Sequence, residues 1–254
     1  MRNIIDPDRT CGRAAPPEDW AKVLPVDLGP ADVHVWTLSL DAALHPQAAW
    51  SVLSERERAR ALRFLSPSHR DAFVIGRGWV KGVLAGYLRC GAAEVQFAIA
   101  RHGKPFLRDA AGLHFSWSHA RSIWTLAVTA GGPIGVDIEG IDDDLDWRQP
   151  ASVAFHENEL AFVEAAESGS LQLERFYAVW TRKEALFKAL GSGLHDGMEH
   201  VAVVDADGGL RAALSVLDGG LWRLTTLPAV PDLVAALATG FAAARIRCCK
   251  EQLQ

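Results

Sequence analysis

The chain has 254 residues, of which 49% are hydrophobic, and a formal net charge of −5. This length and composition allow one large domain or two small ones with a real hydrophobic core. No run of about 18 apolar residues predicts a membrane span, and Met1–Asp6 lacks the apolar core of a signal peptide. The four cysteines show no CxxC spacing, which argues against a zinc site or a disulfide framework. We therefore expect a cytoplasmic protein.

The first part of the chain predicts an irregular lead-in, a strand and two helices. Residues 1–30 are rich in proline and glycine, and the alternation from Val33 to Leu40 is typical of a strand. A capping box at Ser54 predicts the start of a helix that runs to about Leu65. A second helix is expected to start at Ser66, with proline at its first position, and to end near Gly91. Its glycines predict close approach of another element: Gly76, Gly78, Gly82 and Gly86.

Short strands and turns are predicted next. Residues 95–100 form a predicted strand, residues 101–105 a turn that presents Lys104, and residues 114–119 with 123–130 a hairpin. Gly131-Gly132-Pro133 is the predicted boundary between two halves of the chain. The expected division is therefore 1–130 and 131–254.

The stretch from Ile134 to Glu139 alternates apolar and polar residues, which is the period of a half-buried strand. Asp137 and Glu139 are two residues apart, so their carboxylates share one face and repel each other unless a cation lies between them. A hard divalent ion with oxygen ligands suits such a pair. The alternative is an exposed strand edge with two solvated acids.

A helix is predicted around Trp180–Lys188, with its core stripe drawn from Phe176 to Leu190. Lys183 falls within this apolar stripe, where an ammonium group without a partner is costly. Glu184 and Lys188 are four residues apart and stand together on the flank of the stripe. The alternatives are a snorkelling stem for Lys183 and an ordinary surface pair for Glu184 and Lys188.

The rest of the second half predicts the fold class. His156–Leu160 resembles HExxH but lacks the second histidine, which excludes a zinc protease of that kind. Alternating runs at 201–204, 210–216, 221–227 and 233–238 predict strands. Helices and strands mix without regular βαβ alternation, which favours an α+β fold. The chain has neither GxxxxGK[ST] nor GxGxxG, so P-loop and dinucleotide-binding folds are not expected.

The charges are distributed unevenly along the chain. Residues 55–108 contain eleven basic and four acidic residues, whereas residues 137–167 contain ten acidic residues and Arg148 as the one arginine or lysine. The first half therefore suits an anion and the second a cation, although two ordinary solvated faces would look the same. Carboxylates for a metal, together with lysines and an imidazole, are the groups needed for chemistry on a phosphate ester.

These residues also resemble a known family. Gly135–Glu139 and Trp180–Lys188 are similar to the two signature motifs of the 4'-phosphopantetheinyl transferases. Gly103-Lys104-Pro105 and Phe115–His119 resemble two further motifs that precede them in that family. The order and spacing match the larger, Sfp-type branch, and the resemblance covers residues from about 56 to 194.

The resemblance implies a fold and a reaction. It implies two similar α+β halves related by a pseudo-twofold axis, with the active site in the cleft between them. It also implies transfer of 4'-phosphopantetheine from coenzyme A to a serine of an apo acyl or peptidyl carrier protein, with release of 3',5'-ADP. The expected metal is Mg²⁺ or Mn²⁺, and we expect a monomer that acts on neither nucleic acid nor membranes.

The resemblance assigns roles by position. Asp137, Glu139 and Glu184 would ligate the metal, with Asp137 and Glu184 also catalytic and Glu184 a candidate base. Lys188 would bind the α-phosphate and assist the leaving group. Coenzyme A would be contacted by Arg70, Lys104, Pro105, Ser118, His119, Lys183 and Lys188. Ser116 stands where the family usually has asparagine, so the local hydrogen bonding is expected to differ.

Two other functions remain open from the sequence. The same carboxylates would serve a metal-dependent phosphohydrolase acting on coenzyme A or nucleotides. The fold would also serve a binding module that holds coenzyme A without catalysis. Within the transferase hypothesis, exposed arginines of the first half are expected to attract an acidic carrier protein.

Overall fold

The computed structural model describes residues 5–6, 27–40, 45–108, 112–192, 197–216, 219–228, 231–243 and 245–250. Within these ranges the chain forms six α-helices and eleven strands, arranged in two main sheets and one two-stranded sheet. The predicted α+β class is confirmed. The predicted irregular lead-in lies mostly outside the described residues. Among the described residues, no helix combines the length and apolarity needed to cross a bilayer.

The first main sheet has five strands in the order β1-β11-β2-β6-β5. Their bounds are β1 Ile5–Asp6, β2 Asp32–Ser39, β5 His114–Ala120, β6 Ile123–Thr129 and β11 Arg245–Lys250. The predicted hairpin is confirmed as β5 and β6, which pair antiparallel with Trp117 opposite Leu126. Two further strands, β3 (Phe97–Ile99) and β4 (Pro105–Leu107), form the small sheet.

Three helices cover the first sheet as a group: α3 (Pro67–Leu88) contacts β6, and α1 (Pro46–Val52) and α2 (Glu55–Ala61) pack against α3. The predicted capping box is confirmed, because Ser54 and Glu57 exchange hydrogen bonds at the start of α2. The helix ends at Ala61, four residues earlier than predicted. Close approach is confirmed at Gly76, where an added Cβ would overlap the Trp124 ring, and at Gly78, where it would lie 2.7 Å from Ala49 Cβ.

The second main sheet has four strands in the order β7-β10-β9-β8. Their bounds are β7 Ile134–Gly140, β8 Ala213–Ser215, β9 Leu221–Thr226 and β10 Leu233–Thr239. The helices of this half are α4 (Arg148–Ala154), α5 (Glu157–Glu164) and α6 (Gly169–Leu190). Residues 201–204 were predicted as a strand, but they form only an isolated bridge between Val204 and Leu210.

Helix α6 packs directly against β7. An added Cβ at Gly135 would overlap Ala185 O and lie 2.5 Å from Ala189 N, so only glycine permits this backbone contact. The helix ends as predicted, because Gly191 follows it in the left-handed conformation at φ +71°. Its core stripe is also confirmed: Phe176, Val179, Leu186 and Phe187 are buried.

The last described strand, β11, lies in the first sheet between β1 and β2. β11 pairs parallel with β2, with Ile246 opposite Val33, and therefore lies in the first sheet. The sequence had assigned all of residues 131–254 to the second half. Ile246 is fully buried beside Val33 and Val35, and this long-range burial is the reason that the strand joins the first sheet.

Candidate active site

The candidate site lies where β5, β7 and α6 meet. As predicted, Ile134, Val136 and Ile138 of β7 point into apolar clusters. Asp137 and Glu139 share the opposite face with Gly135, and that face is turned toward α6. The expectation of a half-buried strand is wrong for Asp137, which is only 1% exposed. The reason is the close packing of α6 over Gly135, which removes this face from solvent.

Asp137 receives hydrogen bonds from both halves of the chain. Ser118 Oγ on β5 donates to Asp137 Oδ1 at 2.8 Å, and Lys188 Nζ on α6 donates to the same oxygen at 2.5 Å. The other oxygen, Oδ2, is buried without a hydrogen-bond partner among the described residues. A buried carboxylate oxygen without a donor is energetically unfavourable and is therefore suited to accept a cation.

The charge of Asp137 contributes to the pKa values of two nearby glutamates. Burial, followed by the Asp137 carboxylate, raises the pKa of Glu139 to about 7, against opposing effects of Lys188 and a hydrogen bond from Trp180. Burial, again followed by Asp137, raises the pKa of Glu184 to about 7, with Lys188 opposing and Glu139 adding. The three acids thus form one cluster of mutually repelling carboxylates, as the sequence predicted.

Lys188 supplies the positive charge of the cluster. Its ammonium lies 2.5 Å from Asp137 Oδ1, 3.0 Å from Ser118 Oγ and 3.9 Å from Glu184 Oε2. The side chain is 26% exposed, so one side of it remains open to solvent. The contact to Glu184 is the longest of the three, so an ordinary surface pair within one helix does not describe this lysine.

His119 lies at the exposed margin of the cluster. Its ring packs against the Trp124 ring with centroids 4.7 Å apart. Partial burial, and then the Lys188 ammonium, lower its pKa below the usual value. At neutral pH the imidazole is therefore neutral, with one ring nitrogen as donor and the other as acceptor.

Lys104 and Pro105 lie beside the cluster, where β4 begins. The Lys104 ammonium donates to Ile134 O at 3.0 Å and to Ala189 O at 3.2 Å. Burial lowers the pKa of Lys104 to about 8. Both residues line a pocket of about 230 Å³, whose walls are His102, Gly103, Lys104, Pro105, Phe115, Ser116, Trp117, Phe187, Lys188 and Gly191. The pocket is therefore largely apolar, with lysines at its edge.

A larger groove of about 740 Å³ adjoins this pocket at Gly103. Its lining includes Arg56, Arg60, Arg63 and Arg77, together with Glu57. Arg77 Nε is 3.2 Å from Glu57 Oε1, and its guanidinium lies 4.4 Å from the Trp117 ring centroid. The basic surface predicted for the first half is thus concave and adjoins the pocket that Lys104 and Lys188 line.

Two predicted site residues are not brought to the cluster. Arg70 lies in the first turn of α3 with Asp71 3.3 Å away, and it lines neither the pocket nor the groove. Lys183 is fully buried, 2.8 Å from Glu159 Oε2, and donates to Met198 O and Val201 O. These three acceptors match the three donors of an ammonium, so Lys183 has none left for coenzyme A and serves the packing of α6.

The structure adds two residues to the site to which the sequence assigned no role. Ser116 Oγ accepts a hydrogen bond of 3.1 Å from Val136 N, which joins β5 to β7 next to Asp137. The sequence feature that could have identified Ser116 as a site residue is its departure from the family asparagine. Trp180 donates a hydrogen bond to Glu139. The sequence feature that could have identified it is the four-residue spacing of Trp180, Glu184 and Lys188 on one helix.

The described residues contain no group of three histidine, cysteine, aspartate or glutamate side chains arranged to hold a metal as they stand. The chemistry of the cluster nevertheless fits a divalent cation. The atoms that would bind it are carboxylate oxygens, one of them is buried without a donor, and burial, followed by the Asp137 charge, raises the pKa values of both glutamates. Lys188 now partly neutralises the charge that a metal ion would neutralise.

Comparison with known proteins identifies a family for this chain. The family described as the 4'-phosphopantetheinyl transferase superfamily matches residues 133–238, which include β7 and α6. The chain is 36% identical over 169 residues to the 4'-phosphopantetheinyl transferase HetI of Nostoc sp., covering 64% of this chain and 70% of HetI.

Two further relatives carry similar names. A phosphopantetheinyl transferase of Thraustochytrium sp. is 29% identical, over 75% of this chain and 71% of the relative. The 4'-phosphopantetheinyl transferase ffp of Bacillus subtilis is 28% identical, over 57% of this chain and 62% of the relative. With its signature strand and helix assembled into one carboxylate and lysine cluster, the chain belongs to the 4'-phosphopantetheinyl transferase superfamily.

Proposed function

We propose that this enzyme transfers 4'-phosphopantetheine from coenzyme A to a serine of an apo carrier protein and releases 3',5'-ADP. The observation that supports this proposal most strongly is the cluster of Asp137, Glu139, Glu184 and Lys188, assembled by β7 and α6 beside Ser118 of β5. The serine oxygen would form a bond to the β-phosphorus of coenzyme A. The bond from that phosphorus to the α-phosphate oxygen would break, and the electron pair would leave with 3',5'-ADP.

The carboxylates would hold Mg²⁺ or Mn²⁺. A bound divalent ion would neutralise charge on the pyrophosphate oxygens. Asp137 offers its unpartnered Oδ2 for this purpose, and Glu139 and Glu184 offer carboxylates whose mutual repulsion a cation would relieve. The Lys188 ammonium, which now pairs with Asp137, would then be available to a phosphate oxygen.

Glu184 would accept the proton of the serine hydroxyl, and Lys188 would stabilise the negative charge that develops on the leaving group. Glu184 is a candidate base for the serine hydroxyl, because its carboxylate lies in the cluster, 3.9 Å from the Lys188 ammonium that would bind the reacting phosphates. The partly exposed Lys188 would donate to the α-phosphate oxygen as the bond breaks. His119 and Ser118 would contact the phosphates from the β5 side.

The pocket and the groove would hold the rest of coenzyme A. The apolar walls at Pro105, Phe115 and Trp117 suit a flat ring such as adenine. The adjoining groove carries Arg56, Arg60, Arg63 and Arg77, which suits a phosphate group. We assign the groove to the 3'-phosphate, because a concave arginine wall next to the pocket fits a compact dianion better than the exposed helix of a carrier protein.

The finer features of the fold are also part of the proposal. The long helices α3 and α6 both have 22 residues, and each is followed by a residue in the left-handed conformation, Arg89 or Gly191. This likeness supports two related halves with the site between them, divided near residue 130 apart from β11. We propose that the enzyme acts as a cytoplasmic monomer.

The first test is the intact mass of apo carriers from fatty-acid, polyketide and peptide synthesis after incubation with coenzyme A and Mg²⁺. We expect one phosphopantetheine to be added to at least one carrier, and none in excess chelator. Release of 3',5'-ADP without a carrier would indicate a hydrolase, and coenzyme A binding without either product would indicate a binding module. Full transfer in chelator would contradict the metal assignment.

The metal requirement should depend on pH. Glu139 and Glu184 must lose their protons to bind a cation, and in the metal-free protein their pKa values are about 7. We therefore expect half-maximal transfer to need less Mg²⁺ at pH 8 than at pH 6. A raised carboxylate pKa also means that the metal-free protein loses stability as the pH rises from the ordinary value of 4.5 through about 7. Mg²⁺ should therefore raise the melting temperature more at pH 8 than at pH 6.

Charge reversal at Arg60 tests the groove. Arg60→Glu should raise the dissociation constant for coenzyme A by about tenfold or more, because one charge-assisted contact to the phosphate is replaced by repulsion. Calorimetry with coenzyme A and with dephospho-coenzyme A, which lacks the 3'-phosphate, measures the effect. The dephospho form should bind both proteins alike.

Arg148→Glu is the matched control, because it makes the same charge change on exposed α4 outside the groove. It should leave coenzyme A binding unchanged. If Arg60→Glu instead leaves coenzyme A binding intact and raises the KM and salt dependence for the carrier, the groove serves the carrier protein, as the sequence suggested.

A further inference from the structure

Lys104 joins the two elements that build the site. Its ammonium donates to Ile134 O, in the first residue of β7, and to Ala189 O, in the last turn of α6. Asp137 follows Ile134 by three residues, and Lys188 directly precedes Ala189. One side chain from the first half thus holds the backbone of both elements close to their functional residues.

The two carbonyl groups come together because of Gly135. The absence of a Cβ at Gly135 lets α6 touch the β7 backbone at Ala185 and Ala189. Ala189 O is among the last four carbonyls of the helix, which have no amide partner within it. Two carbonyl oxygens that point into the same space repel each other, and a cation between them removes that repulsion.

The lysine is held in place from its own side. The turn before β4 is closed by the hydrogen bond from Ala100 N to Lys104 O at 2.8 Å, with Gly103 at φ +88°. The Lys104 stem passes Gly191, with Cδ 3.7 Å from the position of an added Cβ. Its route to the two carbonyls is therefore defined by backbone on both sides.

We propose that Lys104 is a positioning residue that fixes α6 against β7 and thereby sets the contact between Lys188 and Asp137. This inference rests on the proposed function, and it differs from the contact to coenzyme A that the family resemblance implied. Two of the three ammonium donors are already used by backbone carbonyls. The described residues place no carboxylate within ion-pair distance of this lysine, which agrees with a role toward carbonyl groups.

The test compares Lys104→Met, which keeps the apolar stem and removes the donors, with Lys104→Arg, which keeps donors and charge. We expect Lys104→Met to lower kcat by about tenfold or more while the KM for coenzyme A changes by less than about threefold. Lys104→Arg should recover part of kcat. In the free enzyme, Lys104→Met should speed amide exchange at residues 185–191 and 134–136.

Lys81→Met is the matched control. Lys81 is another buried lysine of the first half, but it is 3.4 Å from Glu57 rather than bonded to the second half. Its replacement should lower stability without changing exchange at the end of α6. If Lys104→Met does not fold, Lys104→Gln, which keeps one donor group, is measured in the same way.

Two results would overturn the inference. A KM for coenzyme A raised about tenfold with unchanged kcat and exchange would make Lys104 a ligand contact. Unchanged kcat, KM and exchange would make it an ordinary buried lysine. If the wild-type enzyme transfers nothing to any carrier, the proposed function fails, whereas the exchange measurement still decides whether Lys104 holds β7 and α6 together.

Discussion

Lys188→Ala should lower the single-turnover rate of transfer by roughly a hundred- to a thousandfold, with a much smaller change in coenzyme A affinity. Negative charge grows on the α-phosphate oxygen as its bond to the β-phosphorus breaks. A cation at that oxygen therefore stabilises the transition state more than the bound substrate. The expected loss is about 3–4 kcal/mol of transition-state stabilisation.

The contacts of Lys188 predict a second effect, on stability. Lys188 lies closer to Asp137 and Ser118 than to Glu184, so its removal also leaves Asp137 buried without its ammonium partner. The metal-free variant should therefore lose stability, and saturating Mg²⁺ should recover stability better than rate. The measurements are the single-turnover rate at saturating carrier, the coenzyme A dissociation constant by calorimetry, and melting with and without Mg²⁺.

The control removes a different lysine from the same helix. The double variant Glu159→Gln with Lys183→Met takes away both charges of the buried pair and avoids leaving one of them alone. It should change stability but neither the rate nor coenzyme A affinity. A near-normal rate for Lys188→Ala, with slightly lower stability, would reduce Lys188 to a helix pair worth about 0.3–0.5 kcal/mol. The cluster would then not be the active site.

Local patterns were sufficient to predict the elements that carry the site. Alternation identified β7, and the four-residue spacing of Glu184 and Lys188 placed both on one side of α6. The burial of Asp137 was not predicted, because alternation describes the faces of a strand but not what covers them. The covering helix approaches over Gly135, and that glycine was visible in the sequence as part of the motif.

Contacts between residues that are distant in sequence were the features that the sequence did not predict. Lys183 was correctly placed in the apolar stripe, but its carboxylate partner Glu159 lies on α5 and its other acceptors are backbone carbonyls. The acceptors of Lys104 are also carbonyls, which any residue type supplies and no sequence pattern marks. Strand β11 was missed because its partner β2 is over two hundred residues earlier, and only tertiary burial of Ile246 selects that pairing.

Gly135→Ala should strongly destabilise the protein. The new Cβ would overlap Ala185 O and lie 2.5 Å from Ala189 N, and both are backbone atoms of α6 that cannot rotate away. The helix would have to move outward. Overpacking of this kind costs typically about 1–3 kcal/mol, and more where backbone must shift. We expect the free energy of unfolding to fall by about 3 kcal/mol, which lowers the melting temperature by roughly 6–12 °C.

The same shift should abolish transfer in the protein that remains folded. Moving α6 away from β7 separates Lys188 from Asp137 and Ala189 O from Lys104, so the rate falls even well below the melting temperature. Gly169→Ala is the matched control, because an added Cβ at the start of α6 meets nothing within 4 Å and alanine favours the helix. It should be neutral or stabilising by up to about 1 kcal/mol, with normal transfer. Denaturant unfolding and single-turnover transfer are measured for both variants. Normal stability with a normal rate for Gly135→Ala would show that close contact between α6 and β7 is not what holds the cluster together.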